Sequence, residues 1–178
     1  MVRALEKRER VIAKLCVLAG LRPGEVFALR WGSIADTFLK VRERVYEGVL
    51  DSPKSVRGTR EGALTEGLIS DIAAWKTVAV DTGENAFVFP SERGTPLSSH
   101  NIWQRNMEPR LRAVGLEWCT FQVMRRTFVT LCKACGGDPK AIADQAGHDI
   151  GVSVNVYTQN TLDSKLELVN RLERSLVE

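Results

Sequence analysis

The chain has 178 residues, a hydrophobic share of 44%, a formal net charge of +3 and a pI near 8.8. That length suits one domain with an ample core, and no apolar run approaches the roughly 20 residues that span a bilayer. The start, Met1-Val2-Arg3-Ala4-Leu5-Glu6, is broken by Lys7, Arg8, Glu9 and Arg10 and does not read as a secretory signal, so a cytoplasmic protein with no membrane contact is expected.

In chain order, Val11 to Ala19 is an apolar segment of helical length, with Gly20 as its stop. Pro23 suits the first turn of a second helix running to about Arg30, and Glu25 falls in that turn, where a carboxylate favours the dipole. Between Phe38 and Leu64 the period changes to two. Leu39, Val41 and Val45 alternate with Lys40, Arg42, Arg44 and Tyr46, and Gly48, Asp51-Ser52-Pro53 and Arg57-Gly58 mark turns. This predicts a small antiparallel sheet of two or three strands with a basic edge.

Thr65-Glu66 opens a third helix through Leu68, Ile72 and Trp75, and Ala86 to Pro90 reads as extended. Ser98 caps a helix toward Val114, Phe121 to Ala134 is another, and Asp138-Pro139 begins one that ends at Gly147. A short helix should carry Val152 to Tyr157. The tail, 162–178, shows a stripe of Leu162, Leu166, Val169, Leu172 and Leu176 that suits a helix docked on this chain or a neighbour. The fold class is α+β, mostly α-helical, and residues 1–178 are expected to form one domain.

Cys132 and Cys135 have C-x-x-C spacing, but no second pair follows and His100 and His148 are distant. No set of four metal ligands assembles, so two thiols on one helical face are expected, with no metal.

Arg22, Arg125, His148 and Tyr157 each fall at a helix edge. Together they suit the binding of a phosphodiester and its attack by a phenol. Arginine's planar fork pairs two phosphate oxygens and keeps its charge. Preorganised donors of this kind meet the charge that grows on the non-bridging oxygens. Each residue taken alone has an ordinary structural role. Tyr46 alone competes with Tyr157 as a phenol, and it lies in the strand region.

The motifs carry a further reading. Gly20-Leu21-Arg22-Pro23-Gly24-Glu25, Ser52-Pro53-Lys54-Ser55, Gln122-Val123-Met124-Arg125-Arg126, Gly147-His148 and Val156-Tyr157-Thr158 stand in order over nearly the whole chain. They resemble the catalytic domain of the tyrosine recombinases, or phage integrases. The resemblance implies that Tyr157 attacks phosphorus to give a 3′-phosphotyrosine, without metal, ATP or other cofactor. It implies that Arg22, Arg125 and His148 hold the phosphate, that Lys54 protonates the departing oxygen, and that Glu25 buttresses the arginines. Arg57, Arg60 and Arg126 become candidate DNA contacts. The implied partner is double-stranded DNA, bound by a self-associated tetramer, in a protein of bacterial or phage origin. The helical domain with which full-length relatives clamp DNA has no counterpart here, so an isolated catalytic domain is expected.

Two departures stand out. Gln122 replaces the family's usual histidine, and an amide donates a hydrogen bond but is no general base near neutral pH. Arg60-Glu61-Gly62-Ala63-Leu64 replaces the usual R-x-V-P-L. A type IB topoisomerase-like relaxing activity and a DNA-binding module of impaired catalysis remain as alternative readings.

Overall fold

The structure is a computed structural model that describes residues 1–51 and 59–147. Lys54, Arg57, His148, Tyr157 and the tail 162–178 lie outside the described residues, as does the short helix expected at Val152 to Tyr157.

Helix α1, Lys7–Leu18, is the centre of the core. Val11, Ile12, Ala13, Leu15 and Cys16 are all buried, because α1 lies against both α3, Glu66–Lys76, and α6, Phe121–Ala134. The Thr65 hydroxyl caps α3 by accepting from the Leu68 N–H, and Thr120 caps α6 by accepting from Val123. A second apolar cluster of Phe128, Val129, Ile142 and Ala146 joins α6 to α7, Pro139–Ala146.

Helix α2 spans only Pro23–Phe27, shorter than the expected run to Arg30. Tertiary pairing stops it. The Leu29 carbonyl accepts from the Val88 N–H at 2.8 Å, and the Trp31 N–H donates to the Ala86 carbonyl at 3.0 Å. Arg30 and Phe87 thereby form an antiparallel bridge, with the guanidinium 4.3 Å above the Phe87 ring.

The single sheet expected between Phe38 and Leu64 is two separate pairs. β1, Phe38–Val41, pairs antiparallel with β4, Arg60–Ala63, in a register that sets Val41 opposite Arg60. β2, Arg44–Tyr46, pairs with β3, Val49–Asp51, through a tight turn. The β2–β3 hairpin packs on α2, where a Cβ on Gly24 would lie 2.5 Å from the Val45 carbonyl oxygen. Only glycine lets the two backbones approach so closely.

The helix expected from Ser98 toward Val114 is interrupted. α4, Ser99–Ile102, passes through a π turn, Trp103–Met107, into α5, Glu108–Arg112. Pro109 has no N–H for the Arg105 carbonyl, which leaves the regular ladder one bond short. Among the described residues no helix is long and apolar enough to cross a membrane.

Candidate active site

The site forms where the ends of α1 and α7, the start of α2, the first half of α6 and strand β4 meet. Arg22 precedes α2 in extended conformation, and Pro23 opens the helix. The Glu25 carboxylate reaches back to accept from the Arg22 backbone N–H at 2.8 Å and from Arg22 Nη1 at 2.8 Å. Glu25 is only 4% exposed, so its charge must be met inside the protein. Arg60 meets it with two further bonds, Nη1 to Oε1 at 3.0 Å and Nη2 to Oε2 at 2.9 Å. Arg125 Nη1 lies 4.0 Å from Oε2.

Among the described residues, three guanidinium groups stand around one carboxylate, three positive charges against one negative. Burial pushes the Glu25 carboxyl pKa up. The hydrogen bonds and charge of Arg60, followed by those of Arg22, outweigh that and hold it below the ordinary carboxylate value. The carboxylate is therefore ionised across the neutral range.

The C-terminal end of α7 supplies the rest of the frame. The Asp138 carboxylate caps its start by accepting from Ala141, and Gly147 ends it with φ of 68°. Its last carbonyls point into the cluster. Arg125 Nη2 donates to the Ala146 carbonyl at 2.6 Å, and Arg22 Nη2 donates to the Gly147 carbonyl at 2.7 Å. Arg125 Nη1 also donates to the Gly20 carbonyl at the end of α1. Cations at a helix C-terminus are favoured by the dipole as well as by these bonds.

The two expected phosphate ligands differ in exposure. The Arg22 side chain is 42% exposed, whereas that of Arg125 is 8% exposed. Of these two, Arg22 is the guanidinium that can meet an incoming anion with less rearrangement. Gln122 is exposed on the first turn of α6, three residues before Arg125, and Arg126 is exposed beside it. Tyr46, the competing phenol, is exposed on β2 with the Arg44 guanidinium 5.2 Å from its ring centre.

Among the expected site residues, the fold brings Arg22, Glu25 and Arg125 together. Arg60, expected as a DNA contact, turns inward instead, with a side chain only 7% exposed and its donors committed to Glu25 and to the Gln145 carbonyl at 2.9 Å. Lys54, Arg57, His148 and Tyr157 lie outside the described residues. Gln145 was not anticipated. Its side-chain amide donates to the Ala19 and Ala63 carbonyls, each at 3.1 Å, and accepts from the Ala63 N–H at 2.9 Å, so it ties α7 to α1 and β4. Its only signal was a polar residue on the inner face of an amphipathic helix.

The thiols fit a structural role. Cys16 is fully buried and its pKa is pushed up to about 12 by burial, against a smaller lowering by Arg125. Cys132 is half-buried against the α6–α7 cluster, whereas Cys135 lies just past the helix and is exposed, so the two do not share one environment.

Comparison with known proteins places this arrangement. The model of the phage integrase family matches residues 1–163. The prophage ps2 probable integrase of Lactococcus lactis subsp. lactis (strain IL1403) is 24% identical over 187 residues, covering 94% of this chain and 49% of that protein. The integrase of transposon Tn1549, solved with circular intermediate DNA, matches with a TM-score of 0.76 and 22% identity over 93% of this chain and 60% of that one. XerA recombinase matches with a TM-score of 0.73 and 19% identity, over 96% of this chain and 59% of that one. The chain therefore spans about half the length of the curated relative and three fifths of these solved chains. With an interlocked arginine site, a mostly helical fold shared with these recombinases and a family match over nearly its whole length, the chain belongs to the phage integrase family of tyrosine recombinases.

Proposed function

We propose that this chain is the catalytic region of a site-specific DNA recombinase of the integrase type, which breaks and rejoins DNA strands through a 3′-phosphotyrosine at Tyr157. The observation that carries the reading is the convergence of Arg22 and Arg125 on the buried Glu25 carboxylate and on the last carbonyls of α7. An arginine cluster with excess positive charge, one member of which faces solvent, is what a phosphodiester and its more highly charged transition state require.

In this mechanism Arg22 and Arg125 bind the non-bridging oxygens, and His148 donates to the same phosphate. The Tyr157 phenolate forms the new P–O bond as the bond to the 5′ oxygen breaks, and Lys54 gives that oxygen its proton. Religation reverses each transfer, so the energy of the phosphodiester is held in the phosphotyrosine. The arginines supply the positive charge, and neither ATP nor a metal ion is required. Double-stranded DNA is the substrate, exchanged within an assembly of several copies of the protein. The integrases of a prophage and of a transposon among its relatives favour a role in a mobile element.

The test is covalent capture. A nicked duplex carrying a candidate attachment sequence, incubated in low salt with EDTA, is expected to give a DNA adduct on Tyr157 that disappears in Tyr157→Phe. DNA binding without any adduct, even after a DNA-clamping domain is supplied, favours the binding-module reading. Relaxation of supercoiled DNA without exchange between two sites favours topoisomerase-like action.

A further inference from the structure

We propose that Arg60 is a positioning residue for catalysis: it grips both oxygens of Glu25 and the last turn of α7 at once, and so fixes Arg22 for the scissile phosphate. The inference rests on the recombinase reading of the site.

Three observations carry it. First, the Arg60 donors are spent inside the protein. Nη1 and Nη2 reach Oε1 and Oε2 of Glu25 at 3.0 and 2.9 Å, and Nε reaches the Gln145 carbonyl at 2.9 Å. A guanidinium used this way has no free edge for a phosphate, in contrast to the half-exposed Arg22.

Second, Arg60 sets the charge balance of the cluster. Without Arg60, Glu25 would direct its side-chain hydrogen bonding to Arg22, the cluster's solvent-facing guanidinium, with Arg125 Nη1 farther off at 4.0 Å. With Arg60 as a second partner the carboxylate is shared, and Arg22 keeps positive charge to give to the substrate.

Third, Arg60 links parts of the chain that carry different catalytic residues. It opens β4, six residues after Lys54, and it touches α7 just before His148. Gly147 is shaped around it, since a Cβ there would lie 2.6 Å from Arg60 Nη1. The Gln145 amide doubles the link by bonding both the N–H and the carbonyl of Ala63 on the same strand.

The experiment compares wild type, Arg60→Gln, Arg60→Lys, Glu25→Gln and the double variant Glu25→Gln/Arg60→Gln. The readouts are single-turnover cleavage of a nicked duplex, equilibrium affinity for an uncleavable duplex, thermal unfolding, and the Arg22 Nε–H resonance by NMR. Misplacement of a binding group by about an ångström costs on the order of 100-fold in rate, and a loss of that size is expected for Arg60→Gln with duplex affinity held. Arg60→Lys should recover part of the rate. In the Glu25→Gln background the loss of Arg60 should add little, because both changes break one unit.

Wild-type cleavage by Arg60→Gln overturns the proposal. So does a fall in duplex affinity that matches the fall in rate, since that marks a direct phosphate contact. Should Arg60→Gln fail to fold, Arg60→Lys decides. A lysine cannot bridge Glu25 and Gln145, so the Arg22 resonance should broaden, and one as sharp as in wild type overturns the proposal. That NMR result does not depend on cleavage. A wild-type protein that forms no adduct therefore sinks the recombinase reading separately.

Discussion

Gly147 and Arg60 are packed so closely that a Cβ on Gly147 would lie 2.6 Å from Arg60 Nη1 and 2.9 Å from its Cζ. Gly147 also has φ of 68°, a left-handed conformation that costs a side-chain-bearing residue free energy. Gly147→Ala therefore meets a clash and an unfavourable backbone together. It is expected to lower stability by about 1–3 kcal/mol and to push Arg60 away from Glu25. Urea unfolding should give an earlier midpoint, and DNA cleavage should fall further than the loss of folded protein explains. An unchanged midpoint with unchanged cleavage would show that Arg60 moves aside without consequence.

The buried Glu25 carboxylate makes a prediction about pH. Its pKa in the folded protein is below the ordinary value of 4.5, because Arg60 and Arg22 outweigh the cost of burial. A group whose folded pKa is depressed stabilises the fold above its unfolded value, and that contribution is lost as pH falls through the folded value. Wild type should be more stable than Glu25→Gln at neutral pH. Breaking a buried pair typically costs about 3–5 kcal/mol. The gap should close as pH falls below 4.5, where protonated Glu25 comes to resemble glutamine. Urea midpoints of both proteins measured across that range give the answer, and a gap independent of pH would be evidence against a carboxylate-centred cluster.

Arg22 and Arg125 should separate in stability although the proposed mechanism uses both for cleavage. Arg125 is buried and donates to the Gly20 and Ala146 carbonyls. Arg125→Leu strips those carbonyls of partners, at about 1–3 kcal/mol for each group left unsatisfied. Arg22 is half-exposed, and its loss leaves Glu25 still bonded to Arg60. Arg22→Leu should therefore unfold closer to wild type than Arg125→Leu while losing cleavage as completely. The reverse order of unfolding midpoints would contradict this division.

Thiol reactivity offers a check on the core. Cys135 is exposed, whereas Cys16 lies under the arginine cluster with a pKa pushed up to about 12 by burial, and burial also raises that of Cys119. The thiolate is the reactive form, so Cys135 should be alkylated first in native protein, and Cys16 and Cys119 only on unfolding. Mass spectrometry of a timed alkylation resolves the order. Early labelling of Cys16 would mean that α1 does not seal the base of the site.

The sequence made some elements plain because their ends are written in local chemistry. Helix α6 runs over Phe121–Ala134 and α7 over Pro139–Ala146 as expected, since Asp138-Pro139 starts α7 and Gly147 stops it. The end of α2 was not legible, because the residues just past it pair with a distant segment: the Leu29 carbonyl accepts from Val88 and the Trp31 N–H donates to the Ala86 carbonyl. The site divides the same way. Arg22, Glu25 and Arg125 stand in short motifs whose spacing carries the reading. The inward turn of Arg60 depends on the pairing of β1 with β4 and on contacts with Gln145, 85 residues further along. No local pattern separates such an arginine from one facing DNA.

Gln122 bears on how the arginine cluster is completed. It sits exposed on the first turn of α6, three residues before Arg125, at the position where the family resemblance leads one to expect histidine. Its amide can donate a hydrogen bond to a phosphate oxygen but cannot take a proton near neutral pH. An exposed position accepts an imidazole without repacking, so Gln122→His should leave the unfolding midpoint near that of wild type. It should retain or raise the rate of covalent adduct formation, with any gain largest above about pH 6.5, where the imidazole is mostly neutral and can act as a base. Gln122→Ala, which removes the donor, should slow adduct formation. Single-turnover rates across pH for the three proteins compare the side chains directly. A sharp loss in Gln122→His would show that the site is built around the amide, and equal rates in all three would remove this position from the chemistry.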